Sequence, residues 1–595
     1  MRSALAFPFD ADTIFRKKKQ LKRLLEERRD LVGKRIAVMG GSTTREIIDL
    51  LELFLLDQGI KPEFYESAYG AFEHELLFDN DRLKQFKPDV VFIHTNLSNV
   101  KFFPSMRDSE EEVRSKLDKE FARFRALWEK VHEAYHCSVV QNNFELPPLR
   151  VLGNRDAVDH RGRTGFILGL NQEFAGYARD RRNVFINDIE YLSSWIGLER
   201  WCDRPFWHSY KYSLSHEAMP YFCHNLASII QAMFGKSRKC VVVDLDNTLW
   251  GGVIGEDGVN KISLGKDTPL GEAFLEFQGY LKRLKERGIL LAVCSKNDLS
   301  NALAGLNHPD AVLKPDDFSV IKANWDPKPE NIRAIARELN IGEDSLVFID
   351  DDPVEREAVR TFLPAVSVPE VGEDICLFAD MIDKNNYFEP LWIGADDVDR
   401  SAVYAQEDKR KAAAAAFSDQ GEFLRSLSMQ AEIKPFAGIY LDRIAQLVNK
   451  TNQFNLTVRR VTLPEIEALA SDPDAITLYG RLKDKFGESG LVTVFAGRIN
   501  ECVLSIELWL MSCRVINRGM EYALFDALVH ECQRRGVSTV IGRYVPTEKN
   551  KMVSLFYRDL GFSLVSGQAG EESVWKFDVP AAYADKNAII EVTHG

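Results

Sequence analysis

The sequence predicts a multidomain α/β protein, and three observations carry that prediction. Its 595 residues exceed a single domain of roughly 100–200 residues several times over. Short β-branched runs such as KRIAVMG, DVVFIHT, KCVVVDLD, ILLAVCS and SLVFIDD alternate with helical periodicity along most of the chain. The balance of 45% hydrophobic and 28% charged residues is that of packed globular protein rather than a disordered chain.

Taken in order, residues 1–33 read as an N-terminal helix, because TIFRKKKQLKRLLEERRDLV carries helical periodicity with mixed charge. Residues 34–232 alternate strands and helices as a first α/β domain, and 236–388 repeat the alternation with stronger strands. A connecting segment follows at 389–429, its 398–428 portion reading as helix around an alanine tract. Residues 430–582 mix strands and helices around LVTVFAGRI, CVLSIELWLM and STVIGRY, the pattern of an α+β domain.

Acidic residues outnumber basic ones, 89 to 76, for a net charge of −13. Such a surface repels polyphosphate, so no nucleic-acid partner is expected. No apolar run approaches the ~20 residues that span a bilayer, and Asp10 interrupts the only apolar patch near the N-terminus, so neither a membrane segment nor a signal peptide is expected. The nine cysteines follow no zinc spacing, and scattered thiols suit a reducing cytoplasm.

The most informative segment is VVVDLDNTLWGG at 241–252. An apolar strand ends in Asp244, Asp246 and Thr248, which places two carboxylates at the strand's C-terminal edge, where open α/β sheets bind ligands. Carboxylates so close repel, and a divalent cation offsets that cost. Three later segments join them: Ser295 ends the strand of ILLAVCSKND, Lys328 precedes a helix in WDPKPENI, and Asp350 and Asp351 end the strand of SLVFIDD. This set, in this order, resembles the four motifs of the haloacid dehalogenase (HAD) superfamily.

The chemistry suits these residue types. Asp244 can attack phosphorus and form an aspartyl phosphate, while Asp246 protonates the leaving oxygen and later activates water. Thr248, Ser295 and Lys328 would hold the phosphoryl oxygens. Asp244, Asp246 through its backbone carbonyl, and Asp350 would ligate Mg2+, with Asp351 beside them as a further metal-site residue. The stretch 247–294 is short, and GGVIGEDGVNKISLG within it reads as a small hairpin, so the cap is minimal. Either the substrate is large or neighbouring domains cover the opening.

The wording DLDNTLWGGVIGEDG, CSKND, NWDPKPENI and FIDDDPVERE resembles the FkbH-like branch of this superfamily, and so do LVNKTNQFNLTVRR, WLMSCRVINRGME and RYVPTEKNKMVSLFYRDLGF in the C-terminal third. The resemblance, over about 35–580, implies a glyceryl transferase/phosphatase. Such an enzyme dephosphorylates D-1,3-bisphosphoglycerate and loads the glyceryl group onto the phosphopantetheine thiol of an acyl carrier protein, in polyketide biosynthesis among other settings. Two other readings stay open: a HAD phosphatase acting on another phosphorylated metabolite, and a non-catalytic scaffold that recruits carrier protein.

The C-terminal domain resembles GNAT-type acyltransferases. Their pyrophosphate turn corresponds to Arg514-Val515-Ile516-Asn517-Arg518-Gly519, where Asn517 replaces a glycine but tolerates positive φ. Asn550, Phe556, Tyr557 and Gly561-Phe562 resemble the later motif that packs beside the pantetheine arm. Cys513, between a strand end and a helix start and followed by Arg514, is the position the resemblance assigns to a glyceryl thioester; the alternative is a small core thiol, and Cys294 is a competing thiol. Lys450, Asn452, Gln453 and Asn455, followed by Arg459 and Arg460, read equally as a substrate loop or a self-capping helix stop.

KRIAVMGGSTTREIIDLL resembles the first block of SGNH-type hydrolases, with Ser42 at the nucleophile position. His94-Thr95-Asn96 and Gln141-Asn142-Asn143 follow later strands. The Asp-x-x-His block of such enzymes is not matched: Asp203 and His208 are spaced too far apart, and His216 has no nearby acid in sequence. The expectation is an SGNH-like fold that shields the phosphatase site or docks the carrier.

Overall fold

The computed structural model describes residues 2–28, 31–78, 80–393, 410, 413, 417, 419–547, 549–568 and 570–594. The chain falls into two compact units, Met1–Phe234 with Val461–Ala468, and Gly235–Arg460 with Leu469–Gly595.

The first unit is built on five parallel strands, β1 (Val32–Gly40), β2 (Ile60–Glu66), β3 (Val90–His94), β4 (Ser138–Asn142) and β5 (Val184–Asn187), in the order β2-β1-β3-β4-β5. That is the flavodoxin-type order, whose ligand crevice lies beyond the C-terminal strand ends. Ile36–Met39 and Val90–Ile93 are fully buried, because helices cover both faces of a parallel sheet. The helix Glu110–Tyr135 begins at a capping box between Ser109 and Glu112. The expected N-terminal helix is Ala11–Glu26, capped by Asp10 through Thr13 N–H at 3.0 Å. It is a packed part of this unit: Ile14, Leu21 and Leu25 are buried, and Lys18 and Lys22 pair with Asp49 and Glu52 of the helix Arg45–Asp57.

The second unit holds two sheets. The first comprises β6 (Cys240–Val243), β7 (Leu290–Ser295), β8 (Val320–Ala323) and β9 (Leu346–Ile349), all parallel in the order β8-β7-β6-β9. The expected cap hairpin is a loop instead: the short helix Ile254–Asp257 sits inside it, and a single bridge between Gly251 and Ser263 closes it.

The second sheet has nine strands: β10 (Gln430–Lys434), β11 (Phe454–Asn455), β12 (Ala475–Asp484), β13 (Gly487–Asn500), β14 (Val503–Met511), β15 (Thr539–Tyr544), β16 (Ser563–Gly567), β17 (Ser573–Asp578) and β18 (Glu591–His594). Its path runs β16-β17-β15-β14-β13-β12-β10-β18, with β11 paired to β14. β14 and β15 pair in parallel only at Val503–Ser505 with Thr539–Ile541, although both strands continue. The helix Met520–Arg534 connects them.

The two sheets, expected as separate domains, form one compact unit. Asn340 Nδ2 donates to the Cys513 carbonyl at 3.2 Å, Lys239 Nζ donates to Lys450 O at 3.4 Å, and Gly235 passes so near Asn449 O that a Cβ there would lie 2.0 Å away. The connecting helix expected over 398–428 falls largely outside the described residues. Its described part includes Arg410, held to Asp484 at 2.7 and 2.9 Å, and the helix Gln420–Ser426. Among the described residues no helix is long and apolar enough to cross a membrane.

Candidate active site

Each strand of the four-stranded sheet delivers its polar residue to the same edge. Asp244 follows β6, Ser295 ends β7, Asp350 and Asp351 follow β9, and Lys328 opens the helix Lys328–Glu338 after β8. Asp244 and Asp350 are brought together by adjacent strands, and the Asp244 amide donates to Ile349 O at 2.9 Å. Lys328 Nζ lies 3.1 Å from Asp244 Oδ2 and 2.5 Å from Asp350 Oδ2. Thr248 Oγ1 is 3.3 Å from Asp351 Oδ1 and accepts from the Asp351 amide at 3.3 Å. Ser295 is buried at the end of β7.

Asp244, Asp350 and Asp351 each offer a carboxylate oxygen, all within 4.8 Å of one another. Lys328 supplies one positive charge against these three carboxylates. Asp244 Oδ1 is buried with no hydrogen-bond partner. An orphaned carboxylate oxygen beside two others, in an all-oxygen donor set short of positive charge, fits a hard divalent cation such as Mg2+. The electrostatics agree. Burial and the neighbouring Asp244 raise Asp350 and Asp351 above the usual carboxylate range. Burial alone would lower Lys328, but Asp244 and Asp350 outweigh it and hold the ammonium charged.

The Asp246 carboxylate is not in the cluster, in keeping with a ligand role for its backbone carbonyl alone. Oδ1 accepts from Trp250 Nε1 at 2.8 Å and from the Ile254 amide at 3.1 Å, and Oδ2 accepts from Asn297 Nδ2 at 3.0 Å. Only its backbone carbonyl is left for a cation. Burial raises the Asp246 carboxyl above its ordinary range, against the opposing effect of the Ile254 and Trp250 donors. That is the direction a general acid needs.

The holders of Asp246 escape a sequence reading. Asn297 stands two residues past Ser295, and Trp250 is fixed by packing on Gly305, where a Cβ would lie 2.5 Å from the indole. Arg356 is a third such residue; its Nη1 donates to the carbonyls of Asp350 and Asp351 at 2.8 and 2.7 Å and fixes the turn that carries both.

Cys513 lies elsewhere. It lines a cavity of about 210 Å³ with Lys239, Leu290 and Ser345, which stand at the N-terminal ends of β6, β7 and β9. The thiol and the aspartates therefore occupy opposite edges of one sheet. The five residue steps from Lys239 to Asp244 span about 17 Å at ~3.3 Å per step. Cys513 opens a short 3-10 turn, Cys513–Val515, and the long helix, expected to start beside it, starts only at Met520. The competing thiol Cys294 is fully buried and raised well above the ordinary thiol range by that burial, which removes it as a nucleophile.

The turn after Cys513 adopts the anticipated shape, with Asn517 at φ 63° and Gly519 at φ 86°. Arg514 lines the cavity and its Nε donates to Ser512 Oγ at 3.2 Å. Asn550, expected beside a pantetheine arm, is instead wholly buried: Nδ2 donates to Asn455 O and Val545 O, both at 2.9 Å, and Oδ1 accepts from the Thr547 amide at 2.7 Å. The reason is β11. Where β14 and β15 part, the Leu456 amide donates to Trp509 O at 3.1 Å and the Val545 amide donates to Leu456 O at 2.9 Å. Phe454–Leu456 thus bridges the main chain of β14 and the residue that follows β15. Of the NKTNQFNL knot, Lys450, Asn452 and Gln453 line the cavity, whereas Asn455 is buried. Arg460 is structural: Nη1 donates to the carbonyls of Val448, Asn449 and Thr451, and Nη2 to Asn452 Oδ1, which holds the loop on the cavity wall.

In the first unit, Ser42 belongs to a buried polar chain. Ser42 Oγ is 3.3 Å from Ser213 Oγ, and His94 Nε2 is 3.0 Å from the same Ser213 oxygen. Asn142 Nδ2 faces both His94 Nδ1 and Thr95 O at 3.0 Å. Because Thr95 O only accepts, the amide nitrogen must lie there, so His94 Nδ1 is the acceptor and Nε2 carries the proton. Burial lowers His94 to about 3, which keeps the ring neutral. An imidazole that already donates to Ser213 is not a base for either serine. Asp203 caps the helix Arg204–Tyr210 through Phe206 N–H, and His216 stacks on Phe15 with its Nδ1 3.6 Å from Asp12 Oδ1.

Residues 35–231 match the model of the FkbH N-terminal domain. The crystal structure of the N-terminal part of the Bacteroides fragilis protein BF1531, containing a phosphatase domain complexed with Mg, is 32% identical over 63% of this chain and 99% of its own, with a TM-score of 0.59. The Escherichia coli ribosomal-protein-S18-alanine N-acetyltransferase and the GNAT domain of Streptomyces lividans PAT align at 13% and 14% identity, over 27% and 24% of this chain and 99% and 89% of their own, each with a TM-score of 0.21. No curated protein matches the chain. With the phosphatase motifs assembled at one sheet edge and this identity spanning nearly the whole of the Bacteroides structure, the chain belongs to the FkbH-like family of HAD-type phosphatases.

Proposed function

We propose that the protein is a cytoplasmic, magnesium-dependent glyceryl transferase/phosphatase. It takes D-1,3-bisphosphoglycerate, removes both phosphates and loads the glyceryl group onto the phosphopantetheine thiol of an acyl carrier protein. The observation that carries the reading is that one compact unit holds both a phosphoryl-transfer cluster, Asp244 with Lys328, Asp350 and Asp351, and a half-buried thiol, Cys513, in a cavity of its own.

At the first site an Asp244 oxygen attacks the 3-phosphoryl group, the ester P–O bond breaks, and Asp246 gives its proton to the departing hydroxyl oxygen. Water then attacks the aspartyl phosphate, passes a proton to Asp246 and releases inorganic phosphate. Lys328 and Ser295 hold the phosphoryl oxygens as charge moves onto them. Asp244, Asp350, Asp351 and the Asp246 carbonyl would hold Mg2+, which would supply further charge neutralisation when bound. At the second site Cys513 Sγ attacks the acyl phosphate carbon, the carbon–oxygen bond to phosphate breaks, and the thiol proton leaves with the phosphate. The carrier thiol then takes the glyceryl group from Cys513 by thioester exchange, and its proton returns to Cys513.

The test is incubation of the purified chain with Mg2+, D-1,3-bisphosphoglycerate and a phosphopantetheinylated carrier protein, followed by intact masses of both proteins. A glyceryl adduct on the carrier that disappears in Cys513→Ser is expected. Phosphate release with both masses unchanged would leave a phosphatase and remove the transferase.

A further inference from the structure

Lys328 is not the only lysine at the phosphatase edge. Lys296 is the first residue past β7 and follows Ser295 directly. Its Nζ lies 2.5 Å from Oε1 of Glu355, on the helix Pro353–Phe362 that follows β9. β7 and β9 flank β6 on its two sides, with Val243 aligned to Val293 on one and to Ile349 on the other. The Lys296–Glu355 pair therefore reaches from one neighbour of β6 to the other, past the end where Asp244 emerges.

Strand alternation fixes the face on which it does so. Val242, Cys294 and Phe348 pack in one core cluster with Ile332 and Val359 of the two helices on that face. Asp244, Lys296 and Asp350 each stand two residues further along the same strand lines, so all three point that way. Lys328 agrees, since its Nζ lies 5.9 Å over the Phe348 ring while bonding to Asp350. Yet the two lysines differ in what holds them. The Lys328 side chain is sealed at 4% exposure between two carboxylates, whereas Lys296 is 42% exposed and meets Glu355 alone in its ion pair. A half-exposed pair gains little over its hydrated ions, so another anion can replace Glu355 at small cost. Glu355 itself shows the kind of group that Lys296 accepts, a carboxylate on the Asp244 face of the sheet.

We propose that Lys296 reads a second anionic group, a carboxylate or an acyl phosphate, on the phosphate ester bound at Asp244, and that Glu355 holds Lys296 until such a substrate displaces it. The proposal rests on the phosphatase half of the reading above and is independent of transfer to Cys513. It makes Lys296 a specificity residue and names the substrate class of the Asp244 site: small phosphate esters whose leaving part carries its own negative charge.

The experiment is steady-state phosphate release by the full chain with Mg2+ from two esters, D-3-phosphoglycerate and the glycerol phosphate of matching configuration. They differ only at C1, a carboxylate in one and a hydroxymethyl group in the other. Wild type should favour 3-phosphoglycerate about tenfold in kcat/KM, through KM rather than kcat. Raising the salt should narrow that ratio, because the contact is half-exposed. Lys296→Gln should bring the ratio to about one, and Lys296→Arg should restore it, which separates lost charge from misfolding. Glu355→Gln should widen the ratio about threefold, because Lys296 then has no internal competitor; the two partners of one ion pair thus act in opposite directions. A structural role for the pair would slow both esters alike, and an unchanged ratio in Lys296→Gln overturns the assignment. Release from both esters without preference in wild type also overturns it and leaves the phosphatase standing. Release from neither overturns the phosphatase reading and this assignment together. Discrimination without any glyceryl adduct removes the transferase and leaves the role of Lys296 intact.

Discussion

Removing the cation between two buried carboxylates should destabilise the second unit and make its stability depend on added metal. The Lys328 side chain is 4% exposed, Asp244 10% and Asp350 0%, so Lys328→Met leaves two charges that water cannot reach. Breaking a buried pair by deleting one partner costs about 3–5 kcal/mol. For a unit of roughly 350 residues, at about 1.5 °C per kcal/mol, that is a fall of about 4–8 °C in its melting transition. The assay is scanning calorimetry near pH 8 in chelator, repeated with saturating Mg2+. Magnesium should raise the variant's transition by more than the wild type's, because the ion replaces the missing charge among the carboxylates. Turnover of a phosphate ester should fall about 10²–10³-fold even with magnesium present, since the phosphoryl oxygens lose a fixed cation. A variant that melts within about 1 °C of wild type in chelator would refute the electrostatic account of the cluster.

Three further outcomes follow from the same geometry. His94 and His224 are both buried and lowered, to about 3 and about 4, so the unfolded chain binds protons that the fold does not. The stability of the first unit is full above about pH 6.5 and falls as pH drops toward those values; at pH 5 each histidine should cost about 2 kcal/mol, and His94→Gln should flatten that slope in calorimetry. Asn297→Ala removes the donor to Asp246 Oδ2 and should raise the acidic limb of the phosphatase pH profile, with a loss in kcat larger than any change in KM. Arg460→Met frees four acceptors of the loop that bears Lys450 and Asn452; glyceryl transfer should fall while phosphate-ester hydrolysis persists, read by the adduct mass and by phosphate release.

The cluster of Asp244, Ser295, Lys328 and Asp350 was legible because each residue is tied to a strand end or helix start, and local pattern finds those boundaries. A parallel sheet then brings the same ends together without further information. What failed to show were relations between distant segments. The two residues of β11 exist as a strand only because β14 and β15 part beside them, so NQFNL reads as a polar loop. Asn550 looked like a ligand-binding amide for the same reason, since its partners Asn455 O and Val545 O come from the inserted segment and its neighbour. Asp246 kept its expected place, but the direction of its carboxylate was set by Trp250 and Asn297, which no spacing rule connects to it. The edge on which Cys513 lies is a matter of how two sheets pack, and motif spacing carries no record of it.

That edge has a consequence for how the two chemistries are joined. β6, β7 and β9 each end in a phosphatase residue, and at their other ends Lys239, Leu290 and Ser345 wall the thiol cavity. An acyl phosphate cannot pass between the sites through the sheet, whose central residues Val241, Val242 and Val243 have no exposure at all. Under the proposed reaction, a substrate carrying two phosphates therefore needs two binding events, or one capture at Cys513 followed by travel around the sheet on a tether. The carboxylate cluster and the thiol cavity thus lie at separate edges of one sheet. Joining both sheets in one unit, with Asn340 of the phosphatase half bonded to the Cys513 carbonyl, keeps the thiol cavity assembled from both halves. Separating the two halves should open the cavity, because Lys239 and Asn340 would leave its wall.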